Sequence, residues 1–150
     1  SNGRKNRGGH LMEELLEDFI KKAGFIKEQN YFKEMKIHQI TEKWHIDLSA
    51  ISNSGKTEKR FDYVIKTDHM IYGIETNFYS SSGSKLNETA RSYKTLSLEA
   101  DTIEGFTFVW FTDGKGWMSA RNNLEETFDI MEHIYNINDL ENGIISKVFK

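Results

Sequence analysis

Apolar residues near the start of the chain recur at intervals of three and four. Six of them share one helical face, namely Leu11, Leu15, Leu16, Phe19, Ile20 and Ala23. This spacing predicts a helix over residues 11–23, and Gly24 follows where a left-handed residue commonly ends a helix. The ten residues before it, SNGRKNRGGH, contain three basic side chains and no acid. We expect residues 1–10 to form a flexible basic arm, which is either a solvated tail or an arm that phosphates order.

From about residue 35 to residue 79 the period of the pattern changes to two, which is typical of strands. Four runs predict strands, at residues 36–40, 45–51, 60–67 and 70–79, with a short turn near Asp68 between the last two. In the last run one face carries Tyr72, Ile74, Thr76 and Phe78, and the other carries Ile71, Gly73, Glu75 and Asn77.

Helical spacing returns over residues 85–100, and FTFVWF at 106–111 predicts a strand buried on both faces. A second helix is predicted near residues 120–134, followed by a final short helix or strand. This order of elements favours an α/β fold with helices on both faces of a mixed sheet. We expect a single domain over residues 11–150.

Composition narrows the functional classes. The 150 residues include no Cys, which excludes disulfides, zinc ribbons and thiol catalysis. With 20 basic and 23 acidic residues, a nucleic-acid-binding face would have to be local. The five histidines show no zinc-binding spacing. The first Met stands at position 12, so we expect the C-terminal part, or a trimmed form, of a longer protein.

Two acids on adjacent strands are the strongest candidate for chemistry. If the strands pair through the turn near 67–70, opposed residue numbers add up to about 137, which makes Asp62 and Glu75 neighbours. Facing carboxylates destabilise a sheet unless a cation neutralises them, and carboxylates from different elements suit a hard divalent cation. The backbone carbonyl of Thr76 could add a third oxygen ligand. The alternative is a pair of ordinary acids on a solvent-facing surface.

Basic residues follow the serine-rich loop at 80–84. Lys85 lies at the start of the predicted helix, and Arg91 and Lys94 are three residues apart on it. They could contact phosphates or neutralise charge in a transition state, or they could form an ordinary solvated cationic face.

Three segments resemble one enzyme family: RKNRGGHLME (4–13), FDYVI (61–65) and, most specifically, IETNFYSSSGSKLNETARSYK (74–94). They are similar to the DpnII/MboI-type type II restriction endonucleases, and the likeness extends to the DGKGW turn at 113–117. It implies a PD-(D/E)XK nuclease core of αβββαβ order. It also implies Mg²⁺-dependent hydrolysis of double-stranded DNA at GATC sites by a homodimer in the bacterial cytoplasm, as part of a restriction–modification system.

The resemblance assigns roles residue by residue. Asp62 and Glu75 match the two acids of the signature, and Glu13 matches an extra acid often found near the metal. The implied Mg²⁺ ligands are therefore Asp62, Glu75, the Thr76 carbonyl and Glu13. Asn77 stands where the signature usually has lysine, and Lys85 could supply the missing ammonium. Alternatively, Asn77 only orients water, which a second metal or the substrate phosphate activates.

Nine residues have side chains suited to reading bases or gripping phosphates: Arg4, Lys5, Asn6, Arg7, Ser84, Lys85, Asn87, Arg91 and Lys94. The sequence does not exclude other functions. The chain could be a repair or junction-resolving nuclease. It could also be a DNA-binding module that has lost its active site, with Asn77 as the trace of that loss. A truncated piece could also bind DNA without cleaving it.

Overall fold

The five strands of the sheet lie side by side in the order in which they occur along the chain. In this computed structural model, residues 2–81, 84–120 and 124–150 are described. The elements in chain order are α1 (Asn2–Lys22), β1 (Tyr31–Lys36), α2 (Ile37–Trp44), β2 (Arg60–Lys66), β3 (Ile71–Phe78), α3 (Ser84–Asp101), β4 (Phe106–Asp113), α4 (Gly116–Ala120), α5 (Glu125–Ile130), β5 (Ile134–Tyr135), α6 (Ile137–Glu141) and α7 (Ile144–Val148).

Strand pairing changes from antiparallel to parallel once across the sheet. β1 pairs antiparallel with β2, and β2 pairs antiparallel with β3, whereas β3–β4 and β4–β5 are parallel. Helix α3 is the crossover that a parallel β3–β4 pair requires. The expected mixed sheet and the αβββαβ order are confirmed, with α2 inserted after the first strand.

Each face of the sheet carries its own apolar core. On one face α3 packs through Leu86, Ala90 and Tyr93 against the aromatic side chains of β4. On the other face α1 packs through Met12, Leu16 and Ile20, and the C-terminal helices complete the cover. The molecule is therefore a helix–sheet–helix sandwich, and the predicted division of β3 into two faces is confirmed.

Helix α1 is longer than the sequence pattern predicts. Its described backbone is helical from Asn2, so the expectation of a flexible arm over residues 1–10 is wrong for that part. The predicted end is confirmed: Gly24 has a φ of +99°, and the Phe25 amide donates to the Ile20 carbonyl at 3.3 Å. Leu11, placed on the buried face, is instead 58% exposed.

The two strands predicted at 36–40 and 45–51 are absent. Residues 37–44 form α2, because Ile37, Ile40 and Trp44 fall on one helical face. His45 ends that helix in the left-handed conformation, and the following residues form an irregular segment anchored by Leu48 and Ile51. The first strand of the sheet lies earlier, at Tyr31–Lys36, a run that the pattern did not indicate.

The helix predicted near 120–134 is also wrong as one element. Two short helices, α4 and α5, occupy the region, and residues 121–123 between them lie outside the described part. Leu124 and Met131 are buried as the spacing predicted, but Phe128 is 43% exposed. In the described part of the chain, no helix has the length and apolar character needed to cross a membrane.

Candidate active site

The β2–β3 hairpin brings Asp62 and Glu75 together as predicted. Its ladder pairs Tyr63 with Ile74 and Val64 with Gly73, so opposed residue numbers add up to 137. The hairpin is closed by a hydrogen bond from the Thr67 amide to the Met70 carbonyl at 2.9 Å. The two carboxyl groups lie close enough to hydrogen-bond each other.

An irregularity in β1 and β2 positions Asp62. The β1–β2 ladder skips the pair Glu34 and Asp62, and Glu34 has a φ of +56°, which is unusual for a residue with a side chain. In a regular strand, residues that are three apart lie on opposite faces. Phe61 and Val64 nevertheless both belong to the core under α3. Asp62 Oδ2 consequently accepts a hydrogen bond from the Thr76 amide at 2.9 Å. Backbone strain of this kind is common at functional sites.

Glu75 is a buried acid, 5% exposed, in the middle of this arrangement. Burial raises its pKa, the neighbouring Asp62 raises it further, and Lys59 opposes them, which leaves the pKa of Glu75 at about 8. A carboxyl group in this environment needs either a proton or positive charge beside it. Divalent cations provide such charge and prefer carboxylate oxygens.

Lys59 is a site residue that the sequence analysis missed. Its Nζ lies 2.5 Å from Glu75 Oε1, and its side chain is only 14% exposed. The same ammonium stands over the rings of Phe61 and Tyr93, at 5.6 and 5.2 Å from their centroids. Tyr93 also hydrogen-bonds Glu75, and burial raises the pKa of its hydroxyl. The signal available was a lysine three residues before Asp62, at a strand start.

Asn77, at the position of the signature lysine, forms a structural hydrogen bond. Its Oδ1 accepts from Trp110 Nε1 on β4 at 2.8 Å. The neighbouring Thr76 is 6% exposed, and its Oγ1 is buried with no hydrogen-bond partner among the described residues. The amide oxygen of Asn77 is therefore already in use, and the idea that this residue orients water stays a prediction.

Glu13 approaches the site from α1. Burial raises its pKa, and the negative charge of Asp62 raises it further, whereas Lys33 lowers it. Its backbone carbonyl accepts from the Tyr63 hydroxyl at 2.9 Å. Among the described residues, however, no three acidic or histidine side chains converge in a metal-binding cluster. The structure brings Asp62 and Glu75 together, and metal binding by this pair, by Glu13 and by the Thr76 carbonyl stays a prediction.

Only some of the residues predicted to contact DNA are exposed in the described structure. Lys85 and Arg91 are exposed on α3, but Lys94 pairs with Glu126 at 3.1 Å. Asn87 Oδ1 is buried without a hydrogen-bond partner in the described structure. The structure places Lys59, and not Lys85, on the carboxylate pair. The side chains predicted at Arg4, Lys5, Asn6, Arg7 and Ser84 lie outside the described ones.

The known proteins that this chain resembles are type II restriction enzymes. The model of the DpnII restriction endonuclease family matches residues 1–147. The chain belongs to this family. It is 53% identical over 148 residues to the type II restriction enzyme DpnII of Streptococcus pneumoniae, covering 99% of this chain and 51% of that protein.

Two further relatives match almost the whole chain. The type II restriction enzyme MboI of Moraxella bovis is 38% identical over 96% of this chain and 47% of its own length. MjaIII of Methanocaldococcus jannaschii, also a type II restriction enzyme, is 35% identical over 99% of this chain and 51% of its own. The chain thus spans about half the length of these relatives. No solved structure gives a significant match to it.

Proposed function

We propose that this chain carries the active site of a type II endodeoxyribonuclease that cuts double-stranded DNA at GATC sites. The observation that supports this most directly is the Asp62–Glu75 carboxyl pair across the β2–β3 hairpin, in a member of the DpnII family. In this proposal a homodimer reads the palindromic site, since two-fold symmetry in the protein suits two-fold symmetry in DNA. The enzyme acts in the cytoplasm as part of a restriction–modification system.

The donor set suits a divalent cation, and we propose Mg²⁺. Asp62 and Glu75 offer adjacent carboxylate oxygens, and burial beside a second acid gives Glu75 a raised pKa that a bound cation would relieve. Asp62 is already held against β3 by the Thr76 amide, so one ligand is oriented in advance. A cation bound there would polarise the scissile phosphate and acidify a water molecule.

The reaction is hydrolysis of a phosphodiester bond. The oxygen of a water molecule forms a bond to phosphorus, in line with the leaving oxygen, and the bond from phosphorus to O3′ breaks. The water loses one proton to solvent, and the departing O3′ takes up one, so the products are a 5′-phosphate and a 3′-hydroxyl. Asp62 and Glu75 would hold the cation, while exposed Lys85 and Arg91 on α3 are available to phosphates.

The first experiment is incubation of the full-length protein with unmethylated plasmid DNA, in Mg²⁺ and in EDTA, followed by sequencing of the ends. We expect discrete fragments ending at GATC in Mg²⁺ only. The Asp62→Asn variant should bind a GATC duplex and leave it uncut, because the carboxylate is needed for the cation and not for the phosphates. Substantial cleavage by this variant would overturn the metal assignment.

The second candidate is a DNA-binding module with a decayed active site. The observation in its favour is Asn77, an uncharged residue that is hydrogen-bonded to Trp110 at the signature position. Binding of a GATC duplex without any cleavage in Mg²⁺ or Mn²⁺ would favour this candidate over the nuclease.

A further inference from the structure

The active site has no ammonium group at the signature position on β3. Hydrolysis of a phosphodiester builds negative charge on the phosphoryl oxygens, and a fixed positive group beside them lowers the barrier. Asn77 carries no charge, and its carbonyl oxygen is taken by Trp110. A positively charged side chain at the site would therefore have to come from another part of the chain.

Lys59 places an ammonium where this charge is required. Its Nζ contacts Glu75 Oε1 at 2.5 Å, on the face of β3 that also carries Asn77. Among the ion pairs of the described side chains, this is the one that includes either acid of the Asp62–Glu75 pair. Lys85, the substitute expected from the sequence, is exposed on α3 with no such contact.

The surroundings of Lys59 fix the position of its charge. Its backbone carbonyl accepts from the Ile37 amide at 3.1 Å, which anchors the residue at the start of α2. Above that anchor the ammonium stands over the rings of Phe61 and Tyr93, an arrangement that attracts a cation and limits its motion. A lysine held in this way stays in the site when its partner carboxylate is used elsewhere.

Stability alone does not account for this ion pair. Removing two charges from water costs about as much free energy as their mutual attraction supplies. A protein with well-packed apolar residues of similar volume in their place is therefore often equally stable or more stable. Lys59 is 14% exposed and the Glu75 side chain 7% exposed, so both charges are largely desolvated. An ion pair placed beside a second acid, at the site proposed to act on a phosphate, fits a chemical role better.

The geometry points to Lys59 as the lysine of the active site, displaced from the signature position to the start of β2. This inference rests on the proposed nuclease function. Before DNA binds, the Lys59 ammonium lies against Glu75. In the complex its Nζ, still held over Phe61 and Tyr93, donates a hydrogen bond to a non-bridging oxygen of the scissile phosphate. It thereby stabilises the charge that develops during attack.

The test compares Lys59→Met with a matched control, Lys33→Met, in the full-length protein. Lys33 also pairs with a glutamate, Glu17, at 3.2 Å and stands over a tyrosine ring, that of Tyr63 at 5.6 Å. We expect Lys59→Met to lower the single-turnover cleavage rate of a GATC duplex in Mg²⁺ at least 100-fold. Its affinity for the same duplex in Ca²⁺ should change less than threefold, and Lys33→Met should change neither quantity more than threefold.

A second pair of variants separates a chemical role from a structural one. Lys59→Arg should keep more than a tenth of the rate, since it restores the positive charge. Lys59→Ala should regain activity when ethylammonium is added, but not when tetramethylammonium is added at the same ionic strength, because only the former donates hydrogen bonds. If Lys59→Met does not fold, as judged by thermal unfolding, Lys59→Gln takes its place in the comparison.

The outcomes distinguish the proposed nuclease function from the proposed role of Lys59. If the unmodified protein does not cut the duplex in Mg²⁺, the nuclease function is overturned and the role of Lys59 with it. If the unmodified protein cuts and folded Lys59→Met cuts within threefold of it, only the assignment of Lys59 is overturned. Equal rescue by the two ammonium ions would likewise contradict a hydrogen-bonding role.

Discussion

Two groups of lysine, glutamate and tyrosine occur in this molecule, and they behave oppositely. In the first, the site triad, Lys59 and Tyr93 contact Glu75. In the second, the peripheral triad, Lys33 lies 3.2 Å from Glu17 Oε1, and the Tyr31 hydroxyl donates to Glu17 Oε2 at 2.9 Å. The residue types and contacts are nearly the same, yet the pKa of one glutamate is raised and that of the other is lowered.

The difference comes from burial and from a second acid. Burial alone would raise the pKa of Glu17, but the hydrogen bonds from Tyr31 and Lys33 outweigh it, so the pKa is lowered. In the site triad stronger burial and the adjacent Asp62 outweigh the attraction of Lys59. A lysine–glutamate pair is thus a stabilising contact in one place. In the other the lysine does not outweigh burial and the second acid, so the pKa of the glutamate stays raised, and a bound cation would lower it.

Neutralising each glutamate in turn should separate the two triads most strongly. We expect Glu75→Gln to lower cleavage of a GATC duplex by about 10³-fold or more, because a metal ligand contributes several kcal/mol to the transition state. Glu17→Gln should cleave at close to the normal rate. Single-turnover kinetics in Mg²⁺ measure both. Equal, small effects of the two changes would remove the distinction between the triads.

Only the glutamate of the site triad should make metal binding depend on pH. The pKa of Glu75 is raised to about 8, so below that pH a proton occupies the carboxyl group and a cation must displace it. We expect Ca²⁺ affinity, measured by calorimetry, to increase from pH 6 to pH 8, by at most about tenfold per pH unit. Glu17→Gln should keep this dependence and Glu75→Gln should lose it. A Ca²⁺ affinity that is flat across this range would contradict the assignment.

The support beneath the site triad can be disturbed without touching a charge. A Cβ added at Gly73 would lie 2.7 Å from Phe106 Cζ and 2.9 Å from Phe61 Cε1, and the Phe61 ring lies under Lys59. Gly73→Ala should therefore lower the free energy of unfolding by about 1–3 kcal/mol, measured in urea. Combining it with Phe106→Leu should recover part of that loss. Full additivity of the two changes would show that they do not interact.

The hairpin that carries the two acids could be predicted from the sequence because its signals agree. Alternation over β2 and β3 and a short turn fix the register, and the register alone makes Asp62 and Glu75 neighbours. The segment before it gives conflicting signals. Apolar residues at 37 and 40 suit a short strand or a helix equally, and only packing of Trp44 beside them decides for α2.

Lys59 could not be predicted because its role depends on contacts that are distant in sequence. It lies next to Glu75 only after the hairpin closes, and its ammonium is held by Tyr93, which belongs to a helix 34 residues further on. Lys85 lies within the specific block at 74–94, at the start of α3, but this place in the sequence does not bring an exposed helical lysine onto the acids. The αL residue at Glu34 likewise leaves no signal in the pattern.

Without metal, the two glutamates should have small effects on the free energy of unfolding, and these effects should depend on pH in opposite directions. The pKa of Glu17 is lowered on folding from 4.5, so its contribution is present above pH 4.5 and is lost as the pH falls through the folded value. The pKa of Glu75 is raised, so its contribution is complete below pH 4.5 and is lost as the pH rises toward 8. The two glutamates therefore act in separate pH windows.

Urea unfolding in EDTA at a series of pH values measures both windows. Glu17→Gln should reduce stability at pH 7 by less than about 1 kcal/mol, as is usual for a partly exposed pair, and should reduce it less in acid. Glu75→Gln should instead flatten the loss of stability between pH 5 and pH 8. If both variants changed stability in the same window, the two glutamates would share one electrostatic environment. The second acid beside Glu75 would then not be what distinguishes the site.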